Sequence, residues 1–431
     1  MQPHRVSIVT FGCRANQYES DLMRSVLATD HAIVTSDANV WILNACTVTD
    51  LAERKARQTA RRVRRANPDA LIVVVGCLAD AVDQGLTAFP DADLLAGNTW
   101  KGHIDRVVEQ ALAGARGRLP PTEPLDSAAE RSDGPVARVR AFLRVQDGCA
   151  RGCTYCRATQ VRGAPRSKPI SNVLEEARGL VERGFPELVL TGIDLAQYSP
   201  PRGELADALQ AVLSIGGLVR LRIASINPSG ITRALVDVFA SDERACPHFH
   251  VPLQSGDDRI LERMARGYTV AQYLEAIDRV RRTLPEATFG SDLIVGFPGE
   301  DDDAFENTCH IVETVGYSNL HAFRYSLRPG TVAARLDGAV PERTKRARAA
   351  ALEGRWHRAL RPILDKRIGS IQDVLAEERR EGVWRGYTRD YIHVRFISNE
   401  EIPIGSTRPV RVTGSAIEHL EGMDEQRKDA H

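Results

Sequence analysis

The sequence predicts an α/β protein made of three successive units: a parallel α/β domain, a full or partial β/α barrel and a small β-barrel. Short β-rich apolar runs alternate with helical patterns, and this alternation continues to about residue 360 of the 431, which predicts the first two units. A series of short strand patterns separated by polar turns then follows toward the C-terminus. That series is typical of a small β-barrel.

The first predicted unit covers residues 1–117 and contains three β-rich runs: Val6 to Thr10, Val40 to Leu43 and Leu71 to Val75. A helix from about Asp50 to Ala66 lies between the last two runs. Each run ends at or near a cysteine; these are Cys13, Cys46 and Cys77. Because ligands of open α/β sheets collect beyond the carboxyl ends of the strands, the three thiols are expected to converge on one site.

The second predicted unit covers residues 139–360 and follows a linker, residues 118–138, that is rich in proline, small and charged residues. Ser171 is placed to cap its first helix, and a strand from Glu187 to Leu190 comes next. Further strands are expected over four runs: Val219 to Ser225, Phe249 to Leu253, Phe289 to Val295 and Leu320 to Tyr325. Repeated β/α units of this size imply a barrel with its active site at the C-terminal ends of the strands.

The third predicted unit, residues 361–422, contains four short strand patterns: Ile371 to Leu375, Val383 to Thr388, Tyr391 to Ile397 and Thr407 to Ser415. A barrel of this kind often binds oligonucleotides. Its basic and aromatic side chains are placed to bind phosphates and stack unpaired bases; they are Arg385, Tyr387, Arg389 and Tyr391. Residues 423–431 form a polar stretch that we expect to be a disordered tail.

Charge and hydropathy limit the possible classes of protein. The 57 basic and 57 acidic residues give a net charge of +0, so any contact with RNA must come from local basic surfaces. One such surface is the helix from Arg54 to Arg65, although a solvated face explains its charges equally well. The N-terminus has no signal-peptide pattern, and no apolar run approaches the roughly 18 residues of a membrane span. We therefore expect a cytoplasmic monomer that does not bind membranes.

Eight cysteines are too few for a disulfide scaffold in a chain of this length, and in a reducing compartment they favour metal binding. The motif Cys149-Ala-Arg-Gly-Cys153-Thr-Tyr-Cys156 has the spacing C-x3-C-x2-C. Three thiolates this close can bind three irons of one [4Fe–4S] cluster and leave the fourth iron open to a small molecule. A partial zinc site is the alternative, but structural zinc takes four protein ligands and no fourth Cys or His lies nearby. Cys246 and Cys309 lack partner spacing and are expected to be structural.

This spacing, with Tyr155 directly before the last cysteine, resembles the radical S-adenosylmethionine superfamily. The resemblance implies a partial (β/α)6 barrel and a cluster whose open iron chelates S-adenosylmethionine. An electron from that cluster would cleave the cofactor to methionine and a 5′-deoxyadenosyl radical. Thr191, Gly192 and Asp194 follow the strand after the cluster loop, where members of the superfamily contact the amino group of the cofactor. Candidates for ribose and adenine contacts, each of which can equally be a strand-end turn residue, are Gln254, Ser255, Ile294, Val295 and Gly296.

Seven further segments are similar to the motifs of the methylthiotransferases within that superfamily. They are Thr10-Phe-Gly-Cys13-Arg-Ala-Asn-Gln-Tyr-Glu-Ser20, Asn44-Ala-Cys46-Thr-Val-Thr49, Gly76-Cys77, Arg162-Gly-Ala-Pro-Arg-Ser167, Leu253-Gln-Ser-Gly256, Val295-Gly-Phe-Pro-Gly-Glu300 and Tyr325-Ser-Leu-Arg-Pro-Gly-Thr331. The resemblance covers nearly the whole chain and implies a methylthiotransferase domain, a radical domain and a β-barrel of the TRAM type. One departure follows Cys156, where Arg157-Ala-Thr-Gln160 stands in place of an apolar stretch ending in proline.

The resemblance implies that Cys13, Cys46 and Cys77 hold a second [4Fe–4S] cluster, which supplies the transferred sulfur. Asn-Gln-Tyr-Glu after Cys13 and Cys-Thr-Val-Thr at Cys46 are most similar to the branch that acts on N6-threonylcarbamoyladenosine at adenosine 37, beside the tRNA anticodon. The implied partners are the anticodon loop and a reducing electron donor. No catalytic acid or base is expected, because the C2–H of adenine is unactivated and is removed as an atom by a carbon radical rather than as a proton.

Two groups of alternatives remain at this point. The same chemistry can act on N6-isopentenyladenosine in tRNA, on an aspartate of a ribosomal protein or on a natural-product precursor. A protein of another class, a non-catalytic iron–sulfur protein that binds RNA or senses redox state, would also carry clusters. Cleavage of S-adenosylmethionine separates this last class from the enzymes.

Overall fold

A computed structural model describes residues 3–47, 49–123 and 138–425. Its N-terminal unit contains six parallel strands: β1 (Arg5–Phe11), β2 (Ala32–Ile33), β3 (Val40–Ala45), β4 (Leu71–Val75), β5 (Leu94–Ala96) and β6 (Gly117–Arg118). They form one sheet in the order β2-β1-β3-β4-β5-β6. Its four helices are α1 (Arg14–Leu27), α2 (Asp50–Ala66), α3 (Cys77–Asp83) and α4 (Ile104–Leu112). The predicted parallel α/β domain is thus confirmed.

Both faces of this sheet are buried, because successive residues of a strand point to opposite sides. Ile42 and Val73 pack with α1 and α4 in one hydrophobic core. Their neighbours Leu43 and Val74 pack with α2 and α3 in the other. The carboxyl ends of β1, β3 and β4 are therefore fixed side by side at one edge of the sheet.

The central unit contains eight strands: β7 (Arg140–Arg144), β8 (Gln146–Asp147), β9 (Arg166–Ser167), β10 (Glu187–Thr191), β11 (Arg220–Ile223), β12 (His248–His250), β13 (Thr288–Val295) and β14 (Asn319–Arg324). Its helices are α5 (Ala158–Arg162), α6 (Ile170–Glu182), α7 (Leu205–Leu213), α8 (Arg233–Ser241), α9 (Asp258–Arg263), α10 (Val270–Thr283), α11 (Asp302–Val315) and α12 (Glu342–Asp365).

Six of these strands build the barrel, in two parallel sheets with the orders β11-β10-β7 and β12-β13-β14. Backbone hydrogen bonds from Cys246 N to Leu221 O (2.8 Å) and from Ile226 N to His250 O (3.0 Å) connect the two sheets. Within the described residues no pairing joins β7 to β14, so the barrel is partial, as expected. Ser171 does not cap α6 but lies inside it, since the helix begins directly after Pro169, whose carbonyl accepts from Val173 N.

The C-terminal unit is a closed barrel of five strands: β15 (Ile371–Arg380), β16 (Val383–Thr388), β17 (His393–Ile397), β18 (Thr407–Ser415) and β19 (Leu420–Asp424). Two boundaries of this unit differ from those predicted from the sequence. Helix α12 crosses residue 360 because Leu360 and Leu364 continue its buried face. The expected tail begins inside β19, where Leu420 and Gly422 face inward and Met423 faces outward. Most of the expected linker, residues 124–137, lies outside the described residues.

No described helix combines the length and the hydropathy needed to cross a membrane. Cys246 and Cys309 are fully buried, each in contact with its own part of the central unit rather than with another cysteine thiol.

Candidate active site

One cavity of about 590 Å³ lies where the N-terminal and central units meet. Its lining includes all six cysteines predicted to bind clusters: Cys13, Cys46, Cys77, Cys149, Cys153 and Cys156. The first three lie at the carboxyl ends of β1, β3 and β4, and the other three lie in the loop after β8. Residues far apart in the sequence are thus brought to one place by the two sheets, although iron ligation itself stays a prediction.

The N-terminal cysteines are positioned by tight turns. Cys13 directly precedes α1, and Cys77 is the first residue of α3, so both lie at helix N-termini. Gly12, between β1 and α1, has a φ of +114°, and a Cβ at this position would lie 2.4 Å from the Cβ of Cys46. Only glycine permits this backbone conformation together with so close an approach. The turn therefore packs Gly12, the residue before Cys13, against Cys46.

Each cysteine of the central loop accepts a hydrogen bond at sulfur. Gln197 Nε2 donates to Cys149 Sγ at 3.2 Å, an Arg266 guanidinium nitrogen donates to Cys153 Sγ at 3.2 Å, and Ala158 N donates to Cys156 Sγ at 3.3 Å. Donors aimed at sulfur are typical of thiolates that bind iron. Burial raises the pKa of the Cys156 thiol to about 12, so its thiolate needs a bound cation. This donor set fits an iron–sulfur cluster.

A buried ionic network lies behind the two groups of cysteines. Arg162 Nε donates to Cys77 Sγ at 3.1 Å, and the same guanidinium pairs with Glu19 and Asp147. Lys101 also pairs with Glu19. Burial alone would raise the pKa of Glu19, but Arg162, Lys101 and a third cation lower it to about 2. Glu19 is therefore charged and holds Arg162 against Cys77. The sequence placed Arg162 in a motif but gave it no role.

The residues predicted to contact the cofactor amino group, Thr191, Gly192 and Asp194, line the same cavity, as does Tyr155. The Gln146 side chain fixes this segment, because its Oε1 accepts from Ile193 N at 3.0 Å and from Asp194 N at 2.9 Å. A Cβ at Gly192 would lie 2.8 Å from that oxygen, so glycine is required for the approach. Gln197 Nε2 also donates to Asp194 at 2.7 Å, which connects this segment to Cys149.

Of the residues predicted to contact ribose and adenine, some line the cavity and others do not. Gln254 lines the cavity and has a φ of +76°, a strained backbone conformation that is frequent at binding sites. Ile294 packs with Tyr155 in a neighbouring hydrophobic cluster. Gly296 N donates to Glu300 Oε1 at 2.8 Å. Neither Ile294 nor Gly296 lines the cavity, and their contact with a cofactor stays a prediction.

Three polar residues of the cavity were missed from the sequence. His250 is the last residue of β12 and lines the cavity. Its Nε2 lies 3.1 Å from Asp292 Oδ1, which is also 2.9 Å from His321 Nδ1. The three residues lie on β12, β13 and β14, so their proximity depends on barrel pairing and has no signature in sequence spacing.

Comparison with known proteins agrees with this geometry. A family model described as the radical SAM superfamily matches residues 143–312, and one described as "Uncharacterized protein family UPF0004" matches residues 5–97. The radical S-adenosylmethionine methyltransferase TsrM from Kitasatospora setae aligns with a TM-score of 0.55 at 14% identity, over 77% of this chain and 75% of that chain. This likeness shows a shared fold.

Curated relatives align over almost the full length. The threonylcarbamoyladenosine tRNA methylthiotransferase MtaB of Thermotoga maritima is 36% identical over 414 residues, which are 94% of each chain. The tRNA-2-methylthio-N(6)-dimethylallyladenosine synthase of Methylococcus capsulatus is 33% identical over 444 residues, covering 97% of this chain and 95% of the relative. The chain therefore belongs to the radical S-adenosylmethionine methylthiotransferases, enzymes that use a [4Fe–4S] cluster and S-adenosylmethionine and transfer a methylthio group.

Proposed function

We propose that this enzyme adds a methylthio group to C2 of N6-threonylcarbamoyladenosine at adenosine 37, beside the anticodon of tRNA. The observation that carries the proposal is the single cavity lined by two trios of cysteines from two different units. Relatives named for this substrate support it: besides the Thermotoga enzyme, that of Rickettsia prowazekii is 36% identical over 398 residues.

We infer that Cys149, Cys153 and Cys156 hold the cluster that binds S-adenosylmethionine, and that the N-terminal trio holds a second [4Fe–4S] cluster. When bound, these groups supply a carbon radical able to remove the C2 hydrogen, and the sulfur and methyl group that replace it. The residues of the chain position and enclose them. Gln146 fixes the backbone amides of Ile193 and Asp194, and the N-terminal and central units together line the cavity that would enclose the clusters.

A second cavity, of about 1020 Å³, supports an entry path for RNA. Arginines from all three units line it: Arg14, Arg138, Arg140, Arg183 and Arg385. The rings of Tyr387 and Tyr391 stack there at 4.8 Å. Arg138, Arg140 and Arg385 pair with Asp21, Glu377 and Glu378, so the phosphates of an RNA loop would meet guanidinium groups that the protein already holds in place. On the basic helix α2, Arg57, Arg61 and Arg64 likewise pair with acidic residues of their own unit.

The proposal also includes an electron donor, an oligomeric state and a cellular location. An external reductant delivers the electron that starts cofactor cleavage. We propose that the enzyme acts as a cytoplasmic monomer on tRNA.

The test uses anaerobically reconstituted enzyme with a reductant, S-adenosylmethionine and anticodon stem-loops that carry either N6-threonylcarbamoyladenosine or N6-isopentenyladenosine. Mass spectrometry of the nucleosides should show the 2-methylthio product from the first RNA. Product from the isopentenyl RNA alone would overturn the proposed substrate.

The second cluster is tested with Cys13→Ala, which should lose about half of the iron and sulfide if there are two four-iron clusters. It should still form 5′-deoxyadenosine without methylthiolated RNA. Cys246→Ala is the matched control, because this buried thiol lies outside the cavity. An unchanged iron content in Cys13→Ala would exclude the second cluster.

A further inference from the structure

Arg14 differs from the other arginines of the active-site cavity in its lack of partners. Four arginines line the cavity: Arg14, Arg151, Arg162 and Arg266. The last three are held by the protein, and their partners include Asp194, Glu19 and the sulfur of Cys153. Across residues 3–47, 49–123 and 138–425, no hydrogen bond or ion pair of the Arg14 side chain is found.

The cavity offers Arg14 no free carboxylate. Two acidic residues line it, Asp194 and Asp292. Asp194 is taken by Arg151 and Gln197, and Asp292 by two histidines. A guanidinium is always charged and presents a planar fork of donors that matches the two oxygens of a carboxylate. An unpaired arginine in this cavity therefore has the charge and the shape to bind an anionic group of the ligand.

The position of Arg14 indicates which anion it meets. It directly follows Cys13, and it is the residue that lines both the active-site cavity and the arginine-rich second cavity. A base whose C2 faces the N-terminal cysteines has its N6 substituent within reach of the neighbouring residue, because C2 and C6, the carbon that carries N6, both adjoin N1 of the same six-membered ring. A threonylcarbamoyl group ends in a carboxylate, whereas an isopentenyl group is apolar.

We propose that Arg14 binds the carboxylate of the threonylcarbamoyl group and selects this base over bases with uncharged N6 substituents. The inference rests on the proposed function, because it names the residue that would recognise that substrate. A guanidinium can form a bidentate, charge-assisted contact with this carboxylate, which a neutral side chain or one with a single nitrogen cannot reproduce.

The experiment measures binding of three anticodon stem-loops to the reconstituted enzyme by fluorescence anisotropy, with methylthiolation followed by mass spectrometry. The RNAs carry N6-threonylcarbamoyladenosine, its carboxyl methyl ester or adenosine. The wild-type enzyme should bind the acid roughly 10- to 100-fold more tightly than the ester. Arg14→Gln should remove this preference and leave binding of the ester unchanged, and Arg14→Lys should restore part of it. Iron content and thermal unfolding verify that the variants fold.

Arg62→Gln is the matched control, because Arg62 is exposed on α2 and lines neither cavity; the preference should persist. If Arg14→Gln weakened the binding of all three RNAs equally, Arg14 would be assigned to a backbone phosphate and the inference would be overturned. Equal binding of acid and ester by the wild-type enzyme would also overturn it. If the wild-type enzyme bound the acid selectively but formed no methylthiolated product, the proposed function alone would be refuted. If product formed but Arg14→Gln still bound the acid more tightly than the ester, this inference alone would be refuted.

Discussion

Glu19 is a single buried carboxylate that faces three buried cations. Arg144 lies 2.7 Å from it, and Lys101 and Arg162 pair with it as well. Without its charge these cations would repel one another in a medium that screens poorly. Since Arg162 also donates to the sulfur of Cys77, Glu19 acts on the site through Arg162 and is a positioning residue.

Replacement of this carboxylate should therefore destabilise the folded protein. Glu19→Gln should lower the free energy of unfolding by about 3 to 5 kcal/mol, the usual effect of breaking a buried ion pair. Urea unfolding of the anaerobic protein measures it. Glu109→Gln, on the exposed side of α4, is the matched control and should change stability by no more than about 0.5 kcal/mol. An effect of Glu19→Gln as small as that of the control would show that the three cations do not depend on Glu19.

The sequence could predict the residues of the site whose spacing is local. Cys149, Cys153 and Cys156 are close in the chain, and their chemistry follows from the spacing. Arg14 and Asp292 could not be found in this way, because an arginine without a partner is defined only by what surrounds it in three dimensions. Contacts between separate strands carry no local pattern.

At the scale of elements, the turn from β1 to α1 packs Gly12 against Cys46 and so sets the position of Cys13. Gly12→Ala should displace Cys13 from Cys46, since its Cβ would overlap the Cβ of Cys46 at 2.4 Å. We expect loss of about half of the iron, as for a missing four-iron cluster, measured by iron and sulfide analysis. Gly85→Ala is the control, because Gly85 also has a positive φ (+69°) but no atom lies within 4 Å of the added Cβ. Full iron in Gly12→Ala would contradict this account.

Elements with a strong period were predicted closely, and elements without one were not. Helix α2 and strand β4 have the expected bounds, because their apolar periods are clear and turn residues flank them. Strand β19 was missed, since Gly422 takes an inward position where a large apolar side chain would have revealed the alternation. The closure of the C-terminal barrel depends on this strand and could not be derived without it.

At the scale of the whole molecule, Arg157 joins the two units that share the cavity. Its guanidinium donates to Thr47 Oγ1 at 2.9 Å and to Leu86 O at 3.1 Å in the N-terminal unit, and to Pro329 O at 2.7 Å in the central unit. Gln84 Nε2 of the N-terminal unit donates to Gln160 O at 3.0 Å. The polar stretch after Cys156, which departs from the family pattern, is therefore part of the contact between the units.

Loosening this contact should impair methylthio transfer more than radical formation. Arg157→Ala should raise the ratio of 5′-deoxyadenosine to methylthiolated RNA by about 10-fold or more, because radical formation needs the central unit alone whereas transfer needs both trios in register. Liquid chromatography with mass spectrometry measures both products. Arg358→Ala, on an exposed position of α12, should keep the wild-type ratio. A wild-type ratio in Arg157→Ala would mean that other contacts suffice to align the units.

Because both trios border the same hollow, they also share its path to the surrounding solvent. Dioxygen or peroxide that enters to attack one set of thiolates arrives at the other without crossing any further wall of protein. If each trio holds a cluster, as proposed, damage by air should therefore be a joint event in which both clusters bleach together, rather than two successive events with separate rates.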